Sequence, residues 1–91
     1  MKIKVEVNRY LTKFFNEIGE LEVDVKNEAT VRDLLIVLKN QHEAQIPSDI
    51  STEVELRRYF IVVINGKFAS LSDNITEGNK KIKLIPPISG G

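Results

Sequence analysis

The stretch EATVRDLLIVLKNQH, residues 28–42, decides the fold. Val31, Leu34, Leu35 and Leu38 recur at three- and four-residue intervals, which places them on one face of a helix. Thr30 followed three positions later by Asp33 resembles a capping pair, with Asp where Glu or Gln is usual, and it marks the helix start. The helix is expected to end near Gln41 or His42. Such an apolar stripe has to be buried against another element.

Working outward, that element is a sheet. Ile3, Val5 and Val7 alternate with Lys2, Lys4, Glu6 and Asn8, and Leu21, Val23 and Val25 alternate with Glu22, Asp24 and Lys26, the pattern of strands with one wet face. Between them Leu11, Phe14, Phe15 and Ile18 fall at helical spacing, and Gly19 stands where a short helical turn would stop. Downstream of the main helix, residues 43–58 are polar, carry Pro47 and contain the cap-like STEVE sequence, so a loop with one short helix is expected. From Tyr59 two apolar segments flank Asn65-Gly66, the dipeptide that best tolerates a tight hairpin turn. SDNITEGN reads as a turn region, and KKIKLI resumes alternation as the last strand. The order strand, strand, helix, strand, strand, strand predicts an α+β roll of the beta-grasp type. Its mixed sheet of four or five strands packs on one main helix.

Composition excludes several classes of function. With 91 residues the chain is one domain, and thirteen basic against thirteen acidic residues leave no net field to attract nucleic acid or an anionic membrane. The longest apolar run, Phe60–Ile64, is far too short to span a bilayer, and MKIKVEVN is no signal-peptide block, so the cytoplasm is the expected compartment. Absence of cysteine removes thiol nucleophiles, disulfides and thiolate metal sites. His42 beside Glu43 suits a helix C-terminus and does not make a metal site, so no bound metal is expected. No Ser-His-Asp set or phosphate loop occurs, and the chain is not expected to be a catalyst by itself.

Two features exceed what packing requires. Phe60–Ile64 is apolar at both odd and even positions, although one helix covers only one face of so small a sheet. Either the preceding loop covers the far face, or Phe60, Val62 and Ile64 form an apolar interface for a protein partner. The second feature is the ending LIPPISGG, residues 84–91. Pro86 and Pro87 lack amide donors and hold the residues before them extended, so the last strand stops near Ile85 and the chain leaves the sheet outward. The expected division is a domain over residues 1–86 and an extended tail over 87–91. Residues from Pro87 onward reach about 15 Å when extended, far enough to enter another protein's active site. Gly90 and Gly91 suit a narrow channel, because backbone without Cβ permits the closest approach.

IPPISGG, the TVRDLL helix start, the VINGK hairpin and the EGN turn before the last strand together resemble the MoaD/ThiS family of ubiquitin-like sulfur carriers, over most of the chain. The double proline, branched residue, small residue and Gly-Gly resemble most the branch of molybdopterin synthase small subunits. The resemblance implies that an activating enzyme uses ATP to adenylate the Gly91 carboxylate, and that a sulfur donor converts it to a thiocarboxylate. The tail would then enter the synthase large subunit, where the sulfur builds the dithiolene that holds molybdenum or tungsten. It further implies that Gly91 is the reactive residue, that Gly90 gives clearance and that Ser89 belongs to the inserted tail. Ile88 would be an apolar anchor, and Pro87 and Pro86 would give direction. No cofactor is expected on the chain itself. Three alternatives stay open: a protein modifier joined through Gly91 to lysines, a carrier for thiamine or cysteine synthesis, and a plain interaction module. Lys80, Lys81 and Lys83 form a basic cluster near the tail that is either a solvated strand face or a contact for an acidic partner.

Overall fold

The computed structural model describes residues 1–41, 50, 52–75 and 81–87. Alternation produces the first two strands as expected. β1 (Lys2–Val7) and β2 (Glu20–Asp24) pair antiparallel, with Ile3 opposite Val23 and Val5 opposite Leu21, and all four side chains are buried. Between them the expected helical turn is a 3-10 helix, Thr12–Phe15. Leu11 and Phe15 enter the core, whereas Phe14 is half-buried and Ile18 is exposed. The turn ends earlier than Gly19: Asn16 and Glu17 take positive φ angles of 55° and 64°, and the Glu17 N–H closes on the Thr12 carbonyl at 2.8 Å. Asparagine tolerates this left-handed region better than most side chains, so it ends the turn where a glycine was expected.

The decisive helix, α1, spans Val31–Gln41. Its start is a reciprocal capping pair: the Thr30 N–H donates to the Asp33 carboxylate at 3.0 Å, and the Asp33 N–H donates to Thr30 Oγ1 at 3.2 Å. The next free amides are met from outside the helix, Val31 N–H by the Asp73 carbonyl and Arg32 N–H by the Leu71 carbonyl. Val31, Leu34, Leu35 and Leu38 are all buried, as their spacing demands. A second helix, α2 (Glu53–Tyr59), buries Leu56 and is capped by Thr52, whose Oγ1 accepts from the Glu55 N–H at 3.2 Å and whose hydroxyl donates to Glu55 Oε1 at 3.0 Å. It runs through Tyr59, so the following strand begins at Ile61 and not at Tyr59. Residues 42–49 of the expected loop, His42 among them, lie outside the described residues, as do Lys80 and the EGN turn.

β3 (Ile61–Ile64) and β4 (Lys67–Phe68) form the expected hairpin, with Asn65 and Gly66 at φ 57° and 78°. Positive φ at both central residues is the turn geometry whose twist matches the flanking strands. β5 (Lys81–Ile85) completes a five-stranded mixed sheet in the order β2-β1-β5-β3-β4. The last strand in chain order is thus the central one, parallel to β1 and antiparallel to β3. This is the beta-grasp architecture expected from the element order, with α1 as the main helix and α2 as the short helix expected at STEVE. The stretch read as a turn also feeds the core: Ile75 is fully buried, and its N–H donates to the Ala29 carbonyl at 2.7 Å.

Candidate functional site

Register determines what surrounds the point where the chain leaves the sheet. Leu84 lies beside Val7 on one side and opposite Val62 on the other, and Ile85 is opposite Ile61. The Asn8 N–H donates to the Leu84 carbonyl at 2.9 Å, which prolongs the β1 contact one residue past the strand. Pro86 follows one step past the last pair, where Asn8 and Arg9 leave β1 and Phe60 leads from α2 into β3. Neither Pro86 nor Pro87 has an amide to donate, so the ladder ends here and both rings sit half-buried at the sheet's end. Ile88, Ser89, Gly90 and Gly91, the expected tail-insertion and reactive residues, lie outside the described residues.

The expected partner interface is placed differently. Phe60, Val62 and Ile64 are 1%, 0% and 8% exposed and belong to the core cluster, so they form no accessible patch. Even-numbered positions of β3 turn toward the core, as do Ile82 and Leu84 of the adjoining β5. The odd positions face the other way, and there Ile61 is buried outside that cluster, while Val63 and Ile85 are half-buried. Val63 pairs with Phe68, which is 58% exposed. The apolar surface on the open face of the sheet is therefore Val63, Phe68 and Ile85. Sequence reasoning missed Phe68, and the signal that could have found it was its one-for-one pairing with Val63 across a two-residue turn.

Charges flank this surface. Lys81 Nζ lies 2.9 Å from Glu6 Oε1, and Lys83 Nζ lies 4.0 Å from Glu6 Oε2. The Lys81 hydrogen bond holds the Glu6 carboxyl below its usual range, and the same bond raises the Lys81 ammonium. Lys81 and Lys83 thus share one carboxylate and border a shallow depression with Val63, Asn65 and Gly66. On the other side of β5 the loop after β1 carries two cation–aromatic pairs, with the Arg9 guanidinium 4.9 Å from the Tyr10 ring centre and the Lys13 ammonium 5.3 Å from that of Phe14. Among the described residues no three His, Cys, Asp or Glu side chains are grouped to hold a metal ion. None of the described helices is long and apolar enough to cross a membrane.

Known proteins share this arrangement. A family model, that of the ThiS family, matches residues 5–91. SAMP1 from Haloferax volcanii, a small archaeal modifier protein, is 27% identical with a TM-score of 0.74, the match covering 100% of both chains. A protein from Pyrococcus furiosus described as molybdopterin converting factor subunit 1 has the same fold, with a TM-score of 0.76 at 20% identity, over 97% of this chain and 99% of that one. The complex of subunits 1 and 2 of the molybdopterin-converting factor from Helicobacter pylori contains a chain of the same fold, with a TM-score of 0.58 at 15% identity and 100% of both chains covered. No curated protein matches the sequence.

Proposed function

Because the chain belongs to the ThiS family, a family of ubiquitin-like sulfur carriers and modifiers, we propose that it carries sulfur on its C-terminal glycine for molybdopterin synthesis. The observation that carries this reading is the central placement of β5, which brings the chain to Pro86-Pro87 at the end of the sheet, where the ladder stops. In this reading an activating enzyme supplies ATP, the Gly91 carboxylate attacks its α-phosphate, and pyrophosphate leaves. Hydrosulfide from a sulfur donor then attacks the acyl carbon, the C–O bond to AMP breaks, and a thiocarboxylate remains. The residues from Ile88 to Gly91 enter the active site of a synthase large subunit, while Val63, Phe68 and Ile85 dock on that subunit's surface. In this reading the chain's part is to bind and to present, and the chemistry is done by the two partner enzymes. The likeness to molybdopterin converting factor subunits supports the choice of pathway.

Similarity to SAMP1 at 27% identity favours a second reading, in which the same activated Gly91 is joined to a lysine of a target protein. One experiment separates the two. The intact protein, purified under mild conditions from cells that make it natively, is weighed and treated with an electrophilic thiocarboxylate probe. The sulfur-carrier reading expects a mass gain equal to exchange of one oxygen for sulfur, and labelling that is lost on deletion of Gly90 and Gly91. An unlabelled terminus, with Gly91 found in isopeptide linkage to lysines, replaces it by the modifier reading.

A further inference from the structure

Although the chain as a whole carries equal numbers of basic and acidic residues, its charges are not evenly spread. The loop after β1 presents Arg9 and Lys13, and the last turn of α2 presents Arg57 and Arg58. All four are exposed, and none is in an ion pair among the described residues. By sheet order these two segments are the neighbours of β5 on either side, since β1 ends and β3 begins where Pro86 and Pro87 leave the ladder. The open face differs in this respect, because there Lys81 and Lys83 share the Glu6 carboxylate. Tyr10 and Phe14 stiffen the loop cations by stacking, and the Arg9 guanidinium also donates to the Tyr10 hydroxyl at 3.0 Å.

We propose that Arg9, Lys13, Arg57 and Arg58 form a cationic collar around the tail exit, which seats on a carboxylate-lined rim at the mouth of the activating enzyme's tail channel. The inference rests on the proposed function, in which Gly91 bears the reacting carboxylate. Under that reading the tail is dipolar: an anionic tip stands four residues, or at most about 14 Å, beyond a cationic root at Pro87. A channel that accepts both ends is rich in cations or hydrogen-bond donors at its floor and acidic at its rim. An acidic rim also repels free nucleotide and other anions that the floor would otherwise trap. Exposed arginines at a rim act mainly on encounter, so the collar raises the association rate and makes it salt-dependent.

The test uses the full chain with the adenylating enzyme of the same organism, following carrier-dependent ATP–pyrophosphate exchange against carrier concentration at low and high salt. The double variant Arg9→Glu/Arg58→Glu is expected to raise the KM for the carrier about tenfold or more at low salt, to leave kcat within about twofold, and to abolish most of the salt dependence. Arg9→Lys/Arg58→Lys, which keeps the charge, is expected to behave as the parent. An unchanged KM in the charge-reversed variant overturns the collar while exchange by the parent keeps the proposed function standing. A fall in kcat at constant KM overturns it as well. Binding of ATP to the carrier alone that is lost in the Glu variant reassigns the cluster to nucleotide and likewise overturns it. Absence of exchange with the parent chain removes the function reading and the collar together.

Discussion

At the level of single residues, Thr30 and Asp33 show how much a short polar pair contributes. Each satisfies an amide of the other at the start of α1, and the Asp73 and Leu71 carbonyls take the next two amides, so the positive end of this helix is already occupied. Thr30→Ala is expected to cost about 1 kcal/mol, read as a lowered urea midpoint with unchanged slope. The Thr30 amide hydrogen bond, helped by Lys26 at 3.7 Å, holds the Asp33 carboxyl below its ordinary value of 3.8. A carboxyl depressed in the folded state stabilises above its unfolded pKa, and that contribution disappears as pH falls through the lower folded value. Asp33→Ala should therefore lower the urea midpoint at about pH 7 and change it much less at about pH 2, where the parent has lost the same contribution. An equal loss at both values would show that the side chain acts without its charge.

At the scale of elements, legibility in the sequence followed local chemistry. The α1 stripe and its cap, the alternation of β1 and β2, and the Asn65-Gly66 turn each depend on residues within a few positions of one another, and each is where the pattern put it. Gly66→Val, which forces a β-branched side chain to φ near 78°, is expected to cost about 2 kcal/mol, measured by chemical unfolding. What was not legible depends on distant partners. The alternation of KKIKLI marks a strand but carries no sign of its place in the sheet, and β5 lies at the centre with its lysines on the open face. Phe60, Val62 and Ile64 were read as an interface because the sequence shows a run apolar at every position but not which half of it faces the helix. Ile75 is hidden in a stretch of turn formers, and it is brought inside by its hydrogen bond to the Ala29 carbonyl and by that of the Asn74 side-chain amide to the Glu28 carbonyl. Of the site, the prolines and glycines could be read directly, while Phe68 and the cations around the exit are brought to it by strand order alone.

Across the whole molecule, stability and function meet on one strand. A domain of 91 residues is stable by about 5–14 kcal/mol. Leu84 is fully buried at the last core-facing position of β5, so Leu84→Ala is expected to remove about 2–5 kcal/mol, a large fraction of the total. The measurement is a thermal unfolding midpoint, and a shift of less than a few degrees would show that the end of β5 is free to loosen without the rest. The hydrogen bond from the Asn8 N–H goes to the backbone carbonyl at position 84 and survives this substitution, so the loss reads the buried side chain alone.

The strand order also bears on when the protein can fold during its synthesis. β1 is made first and β5 last, yet β1 and β3 touch only through β5, and without it the sheet divides into two separate pairs. A nascent chain still lacking residues 81–85 therefore has no continuous sheet for α1 to cover. The domain closes only after the segment next to the glycines has emerged from the ribosome, so a prematurely terminated chain stays unfolded and open to proteases.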